Sequence, residues 1–340
     1  MKTTHNVPVI SIIIPTLNEE RYISFCLDSI LEAEYPNEKI EIFVVDGMSE
    51  DSTRKIVQEY HSKYSFVEVI ENRQRHTPIG MNLGIEASMG EFVFILSAHA
   101  VYEANYFTKL VENIQSLGAD CVGGVLLTDV KNKNTKSSSI KEVLMHKFGV
   151  GNAIFRTGCS DITEVDTVAF GCYRKSVFYT YGLFDEKLIR NQDIELNKRI
   201  VNRGGKIYLI PEVQCTYYAR ENFTDLAKNQ YQNGFWNILT AYYTKTLSSL
   251  SVRHFIPLLF VLSLFLPISV SFIFPKILWL AVLSLVSYLS LVIIISFKLK
   301  NSSNSIMYLI ISFLTLHFSY GLGSLMGIFS VINKMIKGNK

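Results

Sequence analysis

Four short polar clusters hold the residue types that could do chemistry. Pro15-Thr16-Leu17-Asn18-Glu19 and Asp46-Gly47-Met48-Ser49-Glu50-Asp51-Ser52-Thr53 each follow an apolar run. Ser97-Ala98-His99-Ala100 closes a third run, and Arg190-Asn191-Gln192-Asp193-Ile194-Glu195-Leu196 opens an amphipathic one. Asp46 could accept hydrogen bonds from a base or ribose, or could close its own Asx turn and cap a helix. A side chain in the Ser97–His99 cluster could meet a metal–diphosphate, or could be only a polar strand end. Asp193 and Glu195 are carboxylates at a helix start, a place the helix dipole favours by itself.

The elements that must position these clusters are legible from periodicity. Residues 7–14, 40–45, 66–70 and 92–96 read as strands, and 19–34, 51–60, 78–89 and 103–117 as helices, with Ser49 a candidate N-cap for the second. Strand–helix alternation of this kind predicts a parallel α/β sheet covered by helices, with ligands beyond the carboxyl ends of its strands. After Cys121 the order is less regular. Residues 129–139 read as a mobile polar loop, 165–173 and 206–210 as strands, and 193–202 as a helix.

Composition divides the 340 residues in two. The net charge is only +3, which excludes a strongly basic nucleic-acid binder, and 49% apolar content excludes a disordered chain. The last acidic residue is Asp225; residues 255–340 contain six Lys and no Arg, Asp or Glu. Within that tail, 255–274, 277–297 and 306–332 contain no charged residue, and each reaches the roughly 20 residues a membrane-crossing helix needs. Pro275-Lys276 leaves almost no loop, so the first two form a helical hairpin. Arg253, Lys298 and Lys300 fit the cytosolic side, but three full spans would carry Lys334, Lys337 and Lys340 outside, against the positive-inside tendency. Re-entry around Gly321–Gly323 is one way to resolve this. The five cysteines form no CxxC pair, and the first apolar run is too short for a span or a cleavable signal, so the N-terminal part is expected in a reducing cytosol.

Taken together, PTLNE, DGMSEDST, SAHAVY, FGCYRKSVF, GLFDEKLIRNQDIELN and GGKIYLIP resemble the family 2 glycosyltransferases of the GT-A fold, closest to the succinoglycan-type exopolysaccharide subgroup. The resemblance covers about residues 8–236. It implies a Rossmann-like mixed α/β sheet followed by C-terminal transmembrane helices. It also implies a cytosolic catalytic domain at 1–228, an interfacial amphipathic segment at 229–254 and a membrane domain of two to three helices at 255–340. In its terms Pro15, Thr16, Glu19 and Asp46 line the nucleotide pocket, with Asp46 on the uracil or ribose side. Ser97 and His99 occupy the ends of the family's Asp-x-Asp element, and Asp193 is the catalytic base. Gln192, Gln232 and Trp236 fall on the acceptor or product side, the last two in a Gln-x-x-Arg-Trp-like element.

Three departures bear on mechanism. Ser97 replaces an Asp, leaving His99 as the candidate ligand for a Mn²⁺ or Mg²⁺ cofactor, with the imidazole better suited to Mn²⁺. Gln192 replaces a Glu and removes a like charge beside Asp193. Phe235 replaces the Arg of the third element, which argues against processive synthesis. The activity implied is inverting transfer of a sugar from a nucleotide-diphosphate donor, UDP-linked, to a polyprenyl-linked saccharide for exopolysaccharide or capsule, with no nucleic acid involved. The enzyme would be multi-pass in the cell (inner, cytoplasmic) membrane with its catalytic domain on the cytoplasmic face. Arg190, Arg199 and Arg220 are candidates to meet the leaving diphosphate. Residues 231–246, rich in aromatics, could hold the site at the membrane surface or serve only as an anchor. A polyprenyl-phosphate sugar synthase would need no general base, so its activity would survive loss of Asp193. A non-catalytic sugar-nucleotide-binding assembly subunit would bind UDP without turnover, and Ser97 is its main support. His317, within the third apolar stretch, reads as a neutral His bonded inside the bundle.

Overall fold

The computed structural model describes residues 7–151, 153–245 and 252–338. The chain divides into two compact units. Residues 1–127 and 154–217 form the first, and 128–153 with 218–340 form the second.

In the first unit, β1 (Ile10–Thr16), β2 (Ile40–Asp46), β3 (Val67–Glu71) and β4 (Phe92–Ile95) are parallel, in the order β3-β2-β1-β4. Their β-branched and aromatic residues bury both faces, as a parallel sheet requires. Ile10, Ile12, Ile14, Ile42, Val44, Phe92 and Phe94 face one core, while Ile13, Phe43, Val45, Val93 and Ile95 face the other. Helices α1 (Ile23–Leu31), α2 (Thr53–Lys63), α3 (Thr77–Ala87) and α4 (Tyr106–Ser116) flank the strands, and the three-residue strand β5 (Ala100–Tyr102) precedes α4. Beyond β4 the sheet continues with β8 (Cys172–Arg174), β6 (Cys121–Asp129), β9 (Ile207–Tyr218) and β5, and β7 (Thr163–Glu164) pairs with β9. β8 runs antiparallel to β4 and to β6, so the sheet is mixed rather than wholly parallel. Helix α9 (Gln192–Asn202) begins after Asn191, which adopts φ +61°.

Other expectations are corrected. Residues 165–173 are not one strand. Val168 turns inward against Gly123, whose added Cβ would lie 2.6 Å from it, and Phe170 at φ +50° leaves the extended region. Ser49 does not cap α2. Its hydroxyl is taken by Asp46, and Ser52 precedes the helix. The expected loop at 129–139 becomes a helix from its seventh residue: α5 (Thr135–Met145) starts at a capping box in which Asn134 and Ser137 satisfy each other's backbone N–H.

The second unit contains α5, α6 (Lys147–Val150), α10 (Phe223–Thr244), α11 (Ile256–Ser271), α12 (Leu278–Leu299) and α13 (Ile306–Gly338). Among the described residues, three helices here are long and apolar enough to cross a membrane. The α11–α12 hairpin forms as expected, with Ser263 and Ser284 hydroxyls 2.7 Å apart. Re-entry at Gly321–Gly323 does not occur, because α13 is unbroken for 33 residues and both glycines lie within it. The first unit also holds α7 (Ile154–Thr157) and α8 (Ser176–Thr180).

Candidate active site

The carboxyl ends of β1, β2, β3 and β4 open onto one cavity of about 300 Å³, which also receives the first turn of α9. Pro15, Thr16, Glu19, Ser97, His99, Gln192 and Asp193 all line it, together with Gly47, Asn72, Arg75 and Tyr173. The first two polar clusters are laced together. Asn18 N–H donates to Ser49 Oγ (2.9 Å), Glu19 N–H to Thr53 Oγ1 (2.8 Å), Glu50 N–H to Asn18 Oδ1 (2.8 Å) and Gly47 N–H to the Thr16 carbonyl (2.7 Å). This lacing fixes the lip of the cavity between β1 and β2.

Asp46 is buried directly behind that lip. Its carboxylate accepts from Ser49 Oγ (2.6 Å) and Ser49 N–H and pairs with Arg54 at 3.4 Å, while its neighbours Val45 and Gly47 form the cavity wall. Gln232 and Trp236 belong to α10 in the second unit. Among the candidate arginines, Arg199 is engaged by Glu195 (2.6 and 2.9 Å) and by the Tyr181 and Leu183 carbonyls, which makes it a brace for α9. Arg220 falls in the second unit.

His99 turns its Nδ1 to Glu19 Oε1 at 3.0 Å, and its ring lies between Tyr22 and Tyr217. Around it the cavity supplies the neutral Ser97 hydroxyl. No group of three His, Cys, Asp or Glu side chains comes together among the described residues. A hard divalent cation takes about six oxygen ligands, so this donor set does not by itself build a resident cation site.

Asp193 is held by α9's opening turn. Burial raises its carboxyl above the ordinary 3.8, and backbone N–H groups of Ile194 and Asp193 itself, then the Arg156 charge, pull it back. Arg156 projects from α7, its guanidinium 5.4 Å from the centre of the Tyr217 ring, the same ring that packs on His99. Behind Asp193 the helix is pinned by Asn197, which accepts from Tyr173 Oη (2.9 Å) and donates to Thr167 Oγ1 (2.9 Å).

Two buried acceptors in the cavity wall, Asn72 Oδ1 and Gln192 Oε1, have no hydrogen-bond partner among the described residues. The amide of Asn72 is oriented by Nδ2, which donates to the His76 carbonyl at 2.8 Å. Burying an amide oxygen without a partner is costly, so both oxygens are poised to accept from a ligand. Sequence reasoning missed Asn72, Arg75, Arg156 and Tyr173. The one available signal was for Asn72: it directly follows β3, the strand next to Asp46's strand, where a parallel sheet presents its ligand-facing residues.

Residues 11–182 match the profile of Glycosyl transferase family 2. A Methanococcus voltae protein, dolichyl N-acetyl-alpha-D-glucosaminyl phosphate 3-beta-D-2,3-diacetamido-2,3-dideoxy-beta-D-glucuronosyltransferase, is 30% identical over 248 residues, covering 68% of this chain and 76% of that protein. The succinoglycan biosynthesis protein ExoA of Rhizobium meliloti is 26% identical over 218 residues, 63% of this chain and 64% of its own length. Among solved structures, mannosyltransferase PcManGT from Pyrobaculum calidifontis, in complex with GDP-Man and Mn²⁺, superposes with a TM-score of 0.60 at 15% identity, covering 94% of this chain and 87% of that one. S. aureus TarS 1-349 in complex with UDP-GlcNAc gives 0.53 at 16% identity, covering 97% and 92%. These structural likenesses concern the fold.

Proposed function

The chain belongs to glycosyl transferase family 2, and from that membership and the cavity's geometry we propose that it is an inverting, membrane-bound glycosyltransferase. Its donor is a nucleotide-diphosphate sugar, UDP-linked, and its acceptor a polyprenyl-linked saccharide of exopolysaccharide or capsule synthesis. The observation that carries this reading is one cavity with a carboxylate, Asp193, at one wall and an unpaired buried acceptor, Asn72 Oδ1, at another. Relatives named for a dolichyl-phosphate-linked sugar and for succinoglycan support the lipid-linked acceptor. The three apolar helices support a membrane location, which we place in the cell membrane with the catalytic unit on the cytoplasmic face.

In this mechanism Asn72 accepts from a base N–H and the diphosphate lies along the β1 and β4 ends. Asp193 takes the proton of an acceptor hydroxyl, whose oxygen bonds to the anomeric carbon. The bond from that carbon to the diphosphate breaks, its electron pair leaves with the nucleotide, and configuration inverts. A positioned base of this kind is worth about 10²–10⁴ in rate. His99 and Arg75 line the same cavity.

The test is transfer of radiolabelled sugar from a panel of UDP- and GDP-sugars into the lipid fraction of membranes holding the full chain. Organic-extractable label that is lost in Asp193→Asn is expected. Label that survives Asp193→Asn removes the base assignment and favours a lipid-phosphate acceptor. Tight UDP binding with no label from any donor refutes the transferase reading.

A further inference from the structure

The three apolar helices of the second unit are not equivalent. In their most apolar stretches, 17% of α11 and 11% of α12 is buried, against 39% of α13. Besides the hairpin, whose Val292 shares a core with Leu309 and Phe313, what covers α13 is polar chain. Its first half packs on α5 and α6: Val143 joins Leu309, Phe313 and Leu316 in one cluster, Ser305 N–H donates to Ser139 Oγ (3.2 Å), and His317 Nε2 lies 2.9 Å from the Phe148 carbonyl. The α5 helix carries Lys136, Lys141 and Glu142, and Lys141 pairs with Asp129 at 3.0 Å.

The second half of α13 lies along α10. A Cβ on Gly323 would fall 2.0 Å from the Tyr231 carbonyl oxygen, and one on Gly234 2.0 Å from that of Tyr320, so the two backbones touch. Further along, Lys334 Nζ meets Tyr243 Oη at 3.1 Å, so the helices run side by side in the same direction. The α10 helix exposes Asp225 and Lys228 and buries Gln230, Asn237 and Thr240. Charged groups resist the hydrocarbon core, so neither α5 nor α10 suits the flank of a helix that crosses it.

On the side away from α10, α13 exposes Leu322, Met326, Phe329 and Ile336. At spacings of four, three and seven these form a single apolar stripe, about a third of a turn away from Gly323 and Gly327. Lys334, on the α10 side, and Lys337 lie at its C-terminal end without any acidic residue. At its other end the helix meets the apolar hairpin, where Phe260 of α11 packs on Phe318 at 5.2 Å. An apolar stripe edged by lysines and continuous with a membrane hairpin is the pattern of a helix lying in the interface of an anionic bilayer.

We propose that α11 and α12 alone cross the membrane, and that α13 lies on its surface on the side where α11 enters, its apolar stripe among the acyl chains and Lys334 and Lys337 on anionic lipid headgroups. This arrangement puts Arg253, Lys298, Lys300, Lys334 and Lys337 on one side and leaves Lys276 in the hairpin turn on the other. It removes the charge conflict of a three-span topology without re-entry.

The experiment uses the full chain in vesicles of phosphatidylcholine and phosphatidylglycerol, inserted in one orientation. Ser302→Cys, between α12 and α13, and Lys337→Cys are tested with a membrane-impermeant maleimide, against the background of the unsubstituted protein. Reaction of both from the same face is expected, and reaction from opposite faces overturns the proposal. A fluorophore on Phe329→Cys is then quenched by spin labels near the headgroup or near the acyl-chain end. Several-fold stronger quenching by the shallow label is expected, falling when phosphatidylglycerol is omitted or in Lys334→Glu/Lys337→Glu. Stronger quenching by the deep label refutes the surface helix, and quenching indifferent to phosphatidylglycerol refutes the anionic-headgroup contact.

Discussion

Replacing Asn72 by Leu isolates the cavity's unpaired acceptor. Leu keeps the volume and removes Oδ1, the buried oxygen that has no partner in the described protein. In the complex, the ligand N–H that Oδ1 would accept from is then desolvated against a methyl group. That costs about 1–3 kcal/mol, roughly 5- to 150-fold in Kd. The unliganded protein experiences two opposing changes. It loses the Nδ2 bond to the His76 carbonyl, about 0.5–1.5 kcal/mol, and it sheds an unsatisfied buried oxygen of comparable cost. The net change in folding stability should therefore stay below about 2 kcal/mol. Titration calorimetry with UDP reads the first effect and thermal unfolding without ligand the second. If the donor uses Asn72 equally in ground and transition states, kcat/KM falls by the same factor while kcat is preserved. Unchanged UDP affinity would refute the argument. So would a loss of affinity that tracks a loss of stability, since that would make Asn72 only a turn residue.

Further outcomes follow from the same cavity. Because burial raises the Asp193 carboxyl above 3.8, its ionisation costs the folded state stability as pH rises through the raised value. Asp193→Asn should therefore unfold at higher temperature than wild type at neutral pH, with the advantage gone near pH 3, while losing transfer if the proposed base role holds; equal or lower stability at pH 7 contradicts the burial. Arg156→Gln removes a charge that holds Asp193 down, so the acid limb of the kcat/KM profile should move to higher pH; a fixed limb excludes that coupling. Ser97→Asp restores a hard oxygen ligand in the cavity, and half-maximal activation should then need less Mn²⁺ than in wild type. Identical Mn²⁺ titrations would show that residue 97 faces no cation.

The parts legible in the sequence were those that repeat. β1, β2 and β4 announce themselves by isoleucine, valine and phenylalanine runs buried on both faces, and their parallel order brings Pro15, Thr16, Ser97 and His99 to one edge. Asp193 was legible because its helix is amphipathic and starts within one residue of the expected place. The missed residues belong to no period. Asn72 and Arg75 sit in the turn after β3, and Arg156 on a four-residue helix whose sequence carries no pattern. The α5 helix was hidden because its cap uses Asn134 and Ser137 rather than a Glu partner, and its core contribution comes from Ile140 and Val143, at or beyond the end of the polar run. Hydropathy groups α13 with α11 and α12, and all three are long and apolar enough to cross a membrane; it does not register the glycine seam along which α10 packs on α13.

The two acid-to-neutral departures, Ser97 and Gln192, take on a common meaning in the cavity. Glu19 is paired with His99, and Asp193 feels Arg156. Arg75 also lines the wall, bound to Glu50 at 3.0 Å. With Asp at 97 and Glu at 192, two further carboxylates would face an incoming diphosphate, and like charges in a partly dry cavity repel strongly. A cation would then be needed before the donor could settle. With Ser and Gln in those places fewer carboxylates face an incoming diphosphate, which lowers that repulsion. The unpaired Gln192 Oε1 fits the same scheme: a neutral acceptor can take a hydrogen bond from a sugar or acceptor hydroxyl beside Asp193 without competing for its proton.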